Sequence, residues 1–353
     1  MNTHDETEPF VFPQSTEAAH ARAMLLALRT SLAQRLAAVG GGTEAQLGHA
    51  RWLRDGGAHG GGDRILIPAS LGFCTASLNF SQVHYDDVED KRLGSATALS
   101  CIMHPSHPMQ PSLHTHLSWT EMKDGAGSWR LMADLNPATP VDADTDRFRA
   151  AMDAVCGDRA AEARDRGDDY FWIPALERHR GVAHYYFERS QGATLAQGRA
   201  FARAFGEACI ETYAGILAAA RADGRVHDEA AVAAQIAYHS LYLYQVLTLD
   251  RGTTSGLLVH DQNDVGILGS LPPSVDTQLL ASWGPATPAP QDTLLGAIIE
   301  VLEETGGAVT SACKPRLASL IRRHYRAHPE GLKMQAGNPN VALAADHHRT
   351  TKP

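Results

Sequence analysis

Histidine and proline crowd one short stretch of the chain, residues 100–118. Four of the 18 histidines fall there: His104, His107, His114 and His116. Prolines at 105, 108 and 111 stand between them, and proline fixes φ and has no amide proton, so this middle part is predicted to be an ordered, extended connection. Histidine titrates near neutral pH and ligates metals, which makes the stretch a candidate for proton chemistry. A polar surface loop is the alternative interpretation.

Two strands are predicted to hold this connection at its ends. Residues 98–103 form a short apolar run, and residues 114–119 alternate polar and apolar types. Side chains alternate along a strand with period two, so His114, His116 and Ser118 are predicted to share one face. In the same way Asn79 shares a face with Ser77 and Ser81 of a strand over 73–85. Further strands are predicted at 64–68 and 128–135.

Helices are predicted on both sides of these strands, at 18–39, 144–166, 195–222, 229–239, 293–304 and 316–327. Residues 241–249 are predicted to be β-prone, 250–253 a charged turn, and 256–271 a hairpin around 261–264. Glycines at 56, 57 and 60–62 predict a flexible loop that lacks the ending of a phosphate-binding loop. Short turns between the strands favour an α+β fold with an antiparallel sheet and packed helices. The predicted organisation is a disordered leader over 1–16, a single domain over 17–304 and a C-terminal extension over 305–353.

Composition excludes several classes of function. The chain has 353 residues, 44% hydrophobic and 20% charged, as in an ordinary globular protein. Its net charge of -9 argues against nucleic acid as a partner. The five cysteines are scattered without paired spacing, which favours a reducing compartment, and we expect a cytoplasmic protein. No apolar run approaches the ~20 residues of a membrane helix, so no membrane span is predicted.

Several blocks, in order, resemble the oxygen-dependent coproporphyrinogen III oxidases over roughly residues 20–304. Residues 76–84, Ala-Ser-Leu-Asn-Phe-Ser-Gln-Val-His, resemble the family's Ala-Gly-Val-Asn-Phe-Ser-x-Val-His. Residues 100–114 resemble its Ser-Leu-Val-x-His-Pro-x-Asn-Pro-x-x-Pro-x-x-His at the same spacing. The other blocks lie at 52–66, 134–137, 170–181, 250–257 and 270–273. Their order makes the resemblance specific for the fold.

The resemblance implies a large antiparallel β-sheet flanked by helices on both faces, and a homodimer. It implies an oxidative decarboxylation of two propionate side chains of a porphyrinogen to vinyl groups in haem biosynthesis. Molecular oxygen is the co-substrate, and no metal or organic cofactor is required. Carbon dioxide and hydrogen peroxide are released.

The same resemblance assigns roles to individual residues. Asp250 is expected to accept the pyrrole N–H hydrogen bond or proton, and Arg251 to hold a propionate in a bidentate pair. His114 is expected to transfer a proton at the carbon being oxidised. The expected substrate-binding residues are Ser100, His104, His116, Ser118 and Asn79. As an alternative, Asp250 and Arg251 form only an ion pair in a turn.

The chain also departs from the family pattern. The family's Asn-Val-Arg after the matching histidine is His116-Leu117-Ser118 here, so a substrate-binding arginine is missing at 118. The glycine cluster before Asp134 is replaced by residues 131–133. A lost charged hydrogen bond costs about 1.5–3 kcal/mol, so these departures predict a smaller or less anionic substrate, a tetrapyrrole or a relative of one.

Two alternatives remain open from the sequence. His116 creates a His-x-His pair that, with His104 and His114, predicts a divalent metal site and a metal-dependent oxidase on the same scaffold. The other alternative is a non-catalytic tetrapyrrole-binding protein that kept the pocket and lost turnover.

Overall fold

A seven-stranded antiparallel sheet runs through the middle of the protein. The computed structural model describes residues 10–336, apart from the side chain at 265. The strands of this sheet are β1 Gly48–Leu53, β2 Gly60–Leu66, β3 Phe73–His84, β4 Leu93–Pro105, β5 Ser112–Met122, β6 Gly127–Asn136 and β9 Ala183–Ser190. A separate short ribbon is formed by β7 Trp172–Ile173 and β8 Arg178–His179. The order across the sheet is β1-β2-β3-β4-β5-β6-β9.

Helices cover both faces of this sheet. Their bounds are α1 Thr16–Val39, α2 Asp142–Cys156, α3 Ala160–Phe171, α4 Leu195–Ala222, α5 Glu229–Thr248, α6 Arg251–Val259, α7 Asp264–Ile267, α8 Thr277–Ser282, α9 Gln291–Glu303 and α10 Cys313–Ala327. Helices α1, α2 and α4 pack on one face, and the helices from α5 to α10 form a second core against the other. The predicted α+β fold, an antiparallel sheet with helices on both faces, is confirmed.

The two faces of the sheet differ in chemistry. Side chains that point toward α1 and α4 are apolar and almost fully buried, among them Leu78, Cys101, Leu117 and Leu131. The residues between them in sequence point the other way and are mostly polar; we call that side the polar face. Alternation with period two therefore separates the main hydrophobic core from the candidate site.

The histidine stretch has the predicted form, with β4 and β5 joined by residues 106–111. Of the predicted leader, residues 1–9 lie outside the described residues. Residues 10–15 are irregular, and the Val11 amide donates to the Gly57 carbonyl at 2.9 Å. The predicted C-terminal extension is described as far as residue 336, and its last part lies outside the described residues.

Three predictions between residues 241 and 271 are wrong. Residues 241–248 belong to α5 and Leu249 is its C-cap, Asp250 is the N-cap of α6, and 256–270 form the end of α6, α7 and two 3₁₀ turns rather than a hairpin. Tyrosine, leucine and valine alternate in 241–249, but all of these residues are buried, and a helix that is apolar all round is stable inside a core. Asp250 accepts from the Thr253 amide at 2.6 Å, so it caps a helix instead of closing a turn.

The predicted glycine loop is wrong in part, because Gly60, Gly61 and Gly62 lie in β2. A Cβ at Gly61 would lie 2.4 Å from the Trp52 carbonyl oxygen, and one at Gly62 would lie 2.3 Å from Trp52 Nε1. These glycines permit the close approach of β1 rather than flexibility.

Candidate active site

Strand register sets the predicted site residues in rows across the polar face. One row pairs Asn79 with Ser100, Ser100 with His116, and His116 with Met132. The row on one side of it holds His114, opposite Asp134 of β6. The row on the other side holds Ser118, opposite Arg130. Period two on four neighbouring strands thus brings the predicted residues of β3, β4 and β5 to one surface.

Solvent reaches the middle of this surface. Asn79, Ser100, His114, His116 and Arg130 are all partly exposed. We call this partly exposed part of the polar face the recess. At one end the recess is closed, since residues 103–105 are buried there.

His104 lies in the closed end and is fully buried. Its Nδ1 hydrogen-bonds with Ser112 Oγ at 3.0 Å and its Nε2 with the Ser270 carbonyl at 3.2 Å. Burial, with a smaller contribution from His239, holds the pKa of His104 well below its usual value. The structure therefore does not bring His104, predicted as substrate-binding, to the open part of the face. His104 instead connects β4 to the segment around Ser270 through this hydrogen bond.

His114 faces a buried ion pair. Arg180 donates to Asp134 Oδ2 at 2.5 Å and lies with the same nitrogen 3.3 Å from His114 Nδ1. A guanidinium has no acceptor, so Nδ1 accepts and the ring proton of neutral His114 is on Nε2. Burial and the Arg180 charge hold the pKa of His114 well below its usual value. His114 is therefore neutral and fixed in orientation.

His116 is also held neutral. Its Nε2 lies 3.0 Å from Ser118 Oγ on the same strand. Burial lowers the pKa of His116 to about 3, and the Arg130 charge contributes in the same direction. The pair His116 and Ser118 thus presents a neutral, polar surface to the recess.

Arg130, Tyr170 and Asp250 form a hydrogen-bonded chain beside this surface. Arg130 donates to the Tyr170 hydroxyl at 3.0 Å, and that hydroxyl donates to Asp250 Oδ1 at 2.8 Å. Arg130 also lies over the rings of Tyr170 and Tyr186, 5.6 and 5.3 Å from their centroids. Burial and the nearby Asp250 charge hold the pKa of Tyr170 well above its usual value, so the phenol stays protonated and keeps donating.

The guanidinium of Arg130 stays protonated. Burial alone would lower its pKa, but Tyr186, Tyr170 and Asp250 raise it. Its Nε is buried and has no hydrogen-bond partner among the described residues. Arg130 as a whole is partly exposed, and a cation at the recess is suited to bind a carboxylate.

Arg251, the predicted propionate ligand, differs from Arg130 because it is paired with a carboxylate. It is 7% exposed, and its guanidinium lies 3.3 Å from Glu188 Oε1. Its charge is therefore already matched by a carboxylate. Asp250 accepts from Tyr170 and caps α6, so it does not lie in the turn that the alternative interpretation gave it.

Sequence reasoning missed Arg130, Arg180, Asp134 and Tyr170 as site residues. Arg180 and Tyr170 lie in the block at 170–181 that resembles the family, but nothing in the sequence indicates their partners. Arg130 could have been found from the β5–β6 register, which places it directly opposite Ser118. The polar face therefore carries a guanidinium one strand away from the position where the sequence lacks one.

The geometry gives no support to the predicted metal site. Among residues 10–336 no group of three or more His, Cys, Asp or Glu side chains is arranged to hold a metal ion. His104, His114 and His116 each have a different hydrogen-bond partner.

Comparison with known families supports the resemblance found in the sequence. The family model described as coproporphyrinogen III oxidase matches residues 20–297, most of the chain. That family comprises oxidases of haem biosynthesis that act on tetrapyrroles. Within the described residues, none of the helices combines the length and the apolar character needed to cross a bilayer.

Proposed function

Because the chain belongs to the coproporphyrinogen III oxidase family, we propose that it is an oxygen-dependent oxidase that decarboxylates propionate side chains of a porphyrinogen or a related, less anionic substrate. Each propionic acid loses carbon dioxide and two hydrogens and becomes a vinyl group. Molecular oxygen takes the two electrons and two protons and leaves as hydrogen peroxide. No metal or organic cofactor is required in this scheme.

The observation that carries the proposal is the chain from the partly exposed Arg130 through the buried Tyr170 to the buried Asp250. Asp250 is the proton acceptor for the pyrrole N–H, whose loss makes the ring electron-rich enough to be oxidised. Tyr170 orients the carboxylate by donating to one oxygen. Arg130, which is partly exposed, binds a substrate carboxylate through its guanidinium.

The neutral histidines have a different role in this scheme. Protonation of His114 and His116 is disfavoured by burial and by the arginines beside them. Asp250 is therefore favoured over His114 as the proton acceptor. His114 and His116 line the recess as hydrogen-bonding groups together with Ser100, Ser118 and Asn79.

The pairing of the arginines supports a substrate with fewer carboxylates. Arg180 is engaged by Asp134 and Arg251 by Glu188. Arg130 faces a phenol rather than a bonded carboxylate, so among these three arginines it has the charge most available to a ligand. A substrate that presents one carboxylate at a time to Arg130 suits this arrangement better than one that needs several cations at once.

The test is oxygen uptake by the purified protein with coproporphyrinogen III, in air and under anaerobic conditions, with mass spectrometry of the product. We expect uptake, a mass loss corresponding to carbon dioxide plus two hydrogens per propionate, and no reaction without oxygen. Arg130→Gln is expected to raise KM, while the control Arg35→Gln, an exposed residue of α1 paired with Glu211 on the other side of the sheet, leaves it unchanged.

Full activity without oxygen would overturn the proposal. Porphyrin binding without product, in a folded protein, would instead favour the non-catalytic tetrapyrrole-binding alternative. A homodimer is expected on the resemblance, and light scattering of the purified chain tests it.

A further inference from the structure

The last described residues of the chain lie against the candidate site, although they follow the end of the family match at residue 297. After α10, residues Pro329–Met334 form a 3₁₀ turn, and the chain then returns toward the end of α5. We call residues 329–336 the C-terminal strap.

The strap is hydrogen-bonded to the backbone just before Asp250. The Ala336 amide donates to the Leu249 carbonyl at 2.8 Å, and Gln335 Nε2 donates to the Thr248 carbonyl at 3.3 Å. Carbonyls at the end of a helix have no partner within it, and Ala336 supplies one for Leu249. The Thr248 carbonyl accepts from Gln335 and also from Gln291 and Tyr325. Gln335 is 6% exposed, so this contact is part of the interior.

Helix α10 holds the other side of the same segment. Arg322 Nε donates to the Leu257 carbonyl of α6 at 2.7 Å, and its guanidinium is paired with Asp264. The backbone that carries Asp250 is therefore fixed before and after the carboxylate by residues beyond the family match.

The side chain of Ala336 reaches the surroundings of Arg130. It packs, partly buried, against a small cluster formed by Met132, Tyr170, Phe171 and Tyr186. Tyr170 and Tyr186 are the two rings over which Arg130 lies. Met132 is the cross-strand neighbour of His116. The strap thus packs against a buried cluster that lies directly behind Arg130 and His116.

We propose that the C-terminal strap backs the wall of the substrate recess, behind Tyr170 and Tyr186, and so limits the size of the substrate that binds beside Arg130. This inference rests on the proposed function for the identity of the substrate. Alanine at 336 leaves the wall flat, and a larger side chain there would project toward the tyrosines that flank Arg130. The strap is thus a specificity-determining element that lies beyond the family match.

Two truncations test the wall. One ends after Met334 and removes Gln335 and Ala336; the matched control ends after Ala336 and keeps every described contact. The readout is the ratio of kcat/KM for coproporphyrinogen III to that for a monopyrrole propionate, with the Kd of oxidised coproporphyrin from fluorescence quenching. We expect the first truncation to change the ratio by about tenfold, the scale of a lost apolar contact in a pocket, and the control to match the full chain.

A point variant covers the case in which the shorter chain does not fold. Ala336→Phe adds bulk to the wall, and we expect it to weaken coproporphyrin binding and raise KM for the tetrapyrrole more than for the monopyrrole. Thermal unfolding of each variant shows that the fold is retained.

The outcomes separate this inference from the proposed function. If the full chain is active but neither the first truncation nor Ala336→Phe alters the ratio or the Kd, the wall is overturned and the function stands. If no variant consumes oxygen but the full chain binds coproporphyrin, the function fails, and the Kd values still decide the wall. If the full chain does not bind coproporphyrin, the strap does not border a tetrapyrrole site and the inference is overturned.

Discussion

Replacing Asp250 by asparagine separates its structural role from its catalytic role. The carboxylate caps α6 by accepting from the Thr253 amide at 2.6 Å, and it accepts from the Tyr170 hydroxyl at 2.8 Å. Asparagine is as good an N-cap as aspartate, and its single amide oxygen can keep the bond from the Thr253 amide. The position of Oδ1 then holds an NH2 group, a donor that cannot accept from the Tyr170 hydroxyl. Asparagine therefore removes that bond, the negative charge and the ability to take a proton.

The structure sets the size of the stability loss. A hydrogen bond to a charged group contributes about 1.5–3 kcal/mol, so Asp250→Asn is expected to cost about that much through the lost bond from Tyr170. Asp250→Ala loses the cap as well, which adds about 1 kcal/mol. Loss of a positioned general base lowers kcat by a factor of about 10²–10⁴. The catalytic loss therefore greatly exceeds what slight unfolding of Asp250→Asn can produce.

The assay combines oxygen uptake under saturating substrate with urea unfolding of the same samples. Asp276→Asn is the matched control, because Asp276 caps α8 by accepting from the Leu279 amide at 2.9 Å and lies on the protein surface. We expect Asp250→Asn to lose turnover and stay folded, and the control to keep both. An Asp250→Asn protein that turns over as fast as the wild type would refute the assignment of Asp250 as proton acceptor.

The remaining predictions concern stability. His116 has its pKa lowered by burial to about 3, so as the pH falls the unfolded chain is protonated first and the folded state loses stability between about pH 6.5 and pH 3. At pH 5 the loss relative to pH 7.5 is about 2 kcal/mol, and urea unfolding of His116→Gln is expected to show a smaller pH dependence; equal slopes would contradict it. Arg180→Met leaves the buried Asp134 carboxylate without its cation and is expected to cost about 3–5 kcal/mol in urea unfolding, most of it recovered in the double variant with Asp134→Leu. Similar losses in the single and double variants would show that the uncompensated charge is not the cause. Gly181→Ala places a methyl group 2.6 Å from Asp134 Oδ1 at a φ of 84° and is expected to lower the melting temperature more than Gly306→Ala, where φ is 62° and no atom lies within 4 Å. Equal shifts would rule out crowding at Gly181.

The sheet could be predicted because its signal is local. The alternation over 114–119 and the prolines between 105 and 111 specify strand, connection and strand without knowledge of the rest of the fold. The same alternation correctly placed His114 and His116 on one face. By contrast, alternation in 241–249 was misleading, because burial on all sides allows a β-prone composition to form the helix α5.

The partners of the site residues could not be predicted because they depend on distant parts of the chain. Tyr170 at the end of α3 meets Asp250 at the start of α6 only after the helices have packed on the sheet. Arg130 meets Ser118 only through the register of β5 and β6. Ala336, which packs against the cluster that includes the tyrosines beside Arg130, is separated from them by an even longer stretch of chain.

The contrast between the two faces of the sheet has a consequence for the evolution of this fold. Substitutions on the polar face alter chemistry while Leu78, Leu117, Leu131 and their neighbours on the other face continue to hold the strands in register. Substitutions on one side of the sheet can therefore change the substrate while the protein stays above the stability that folding requires. Arg130 is an example: the guanidinium lies on β6, opposite Ser118 of β5, where the family pattern has an arginine, and the sheet is unchanged.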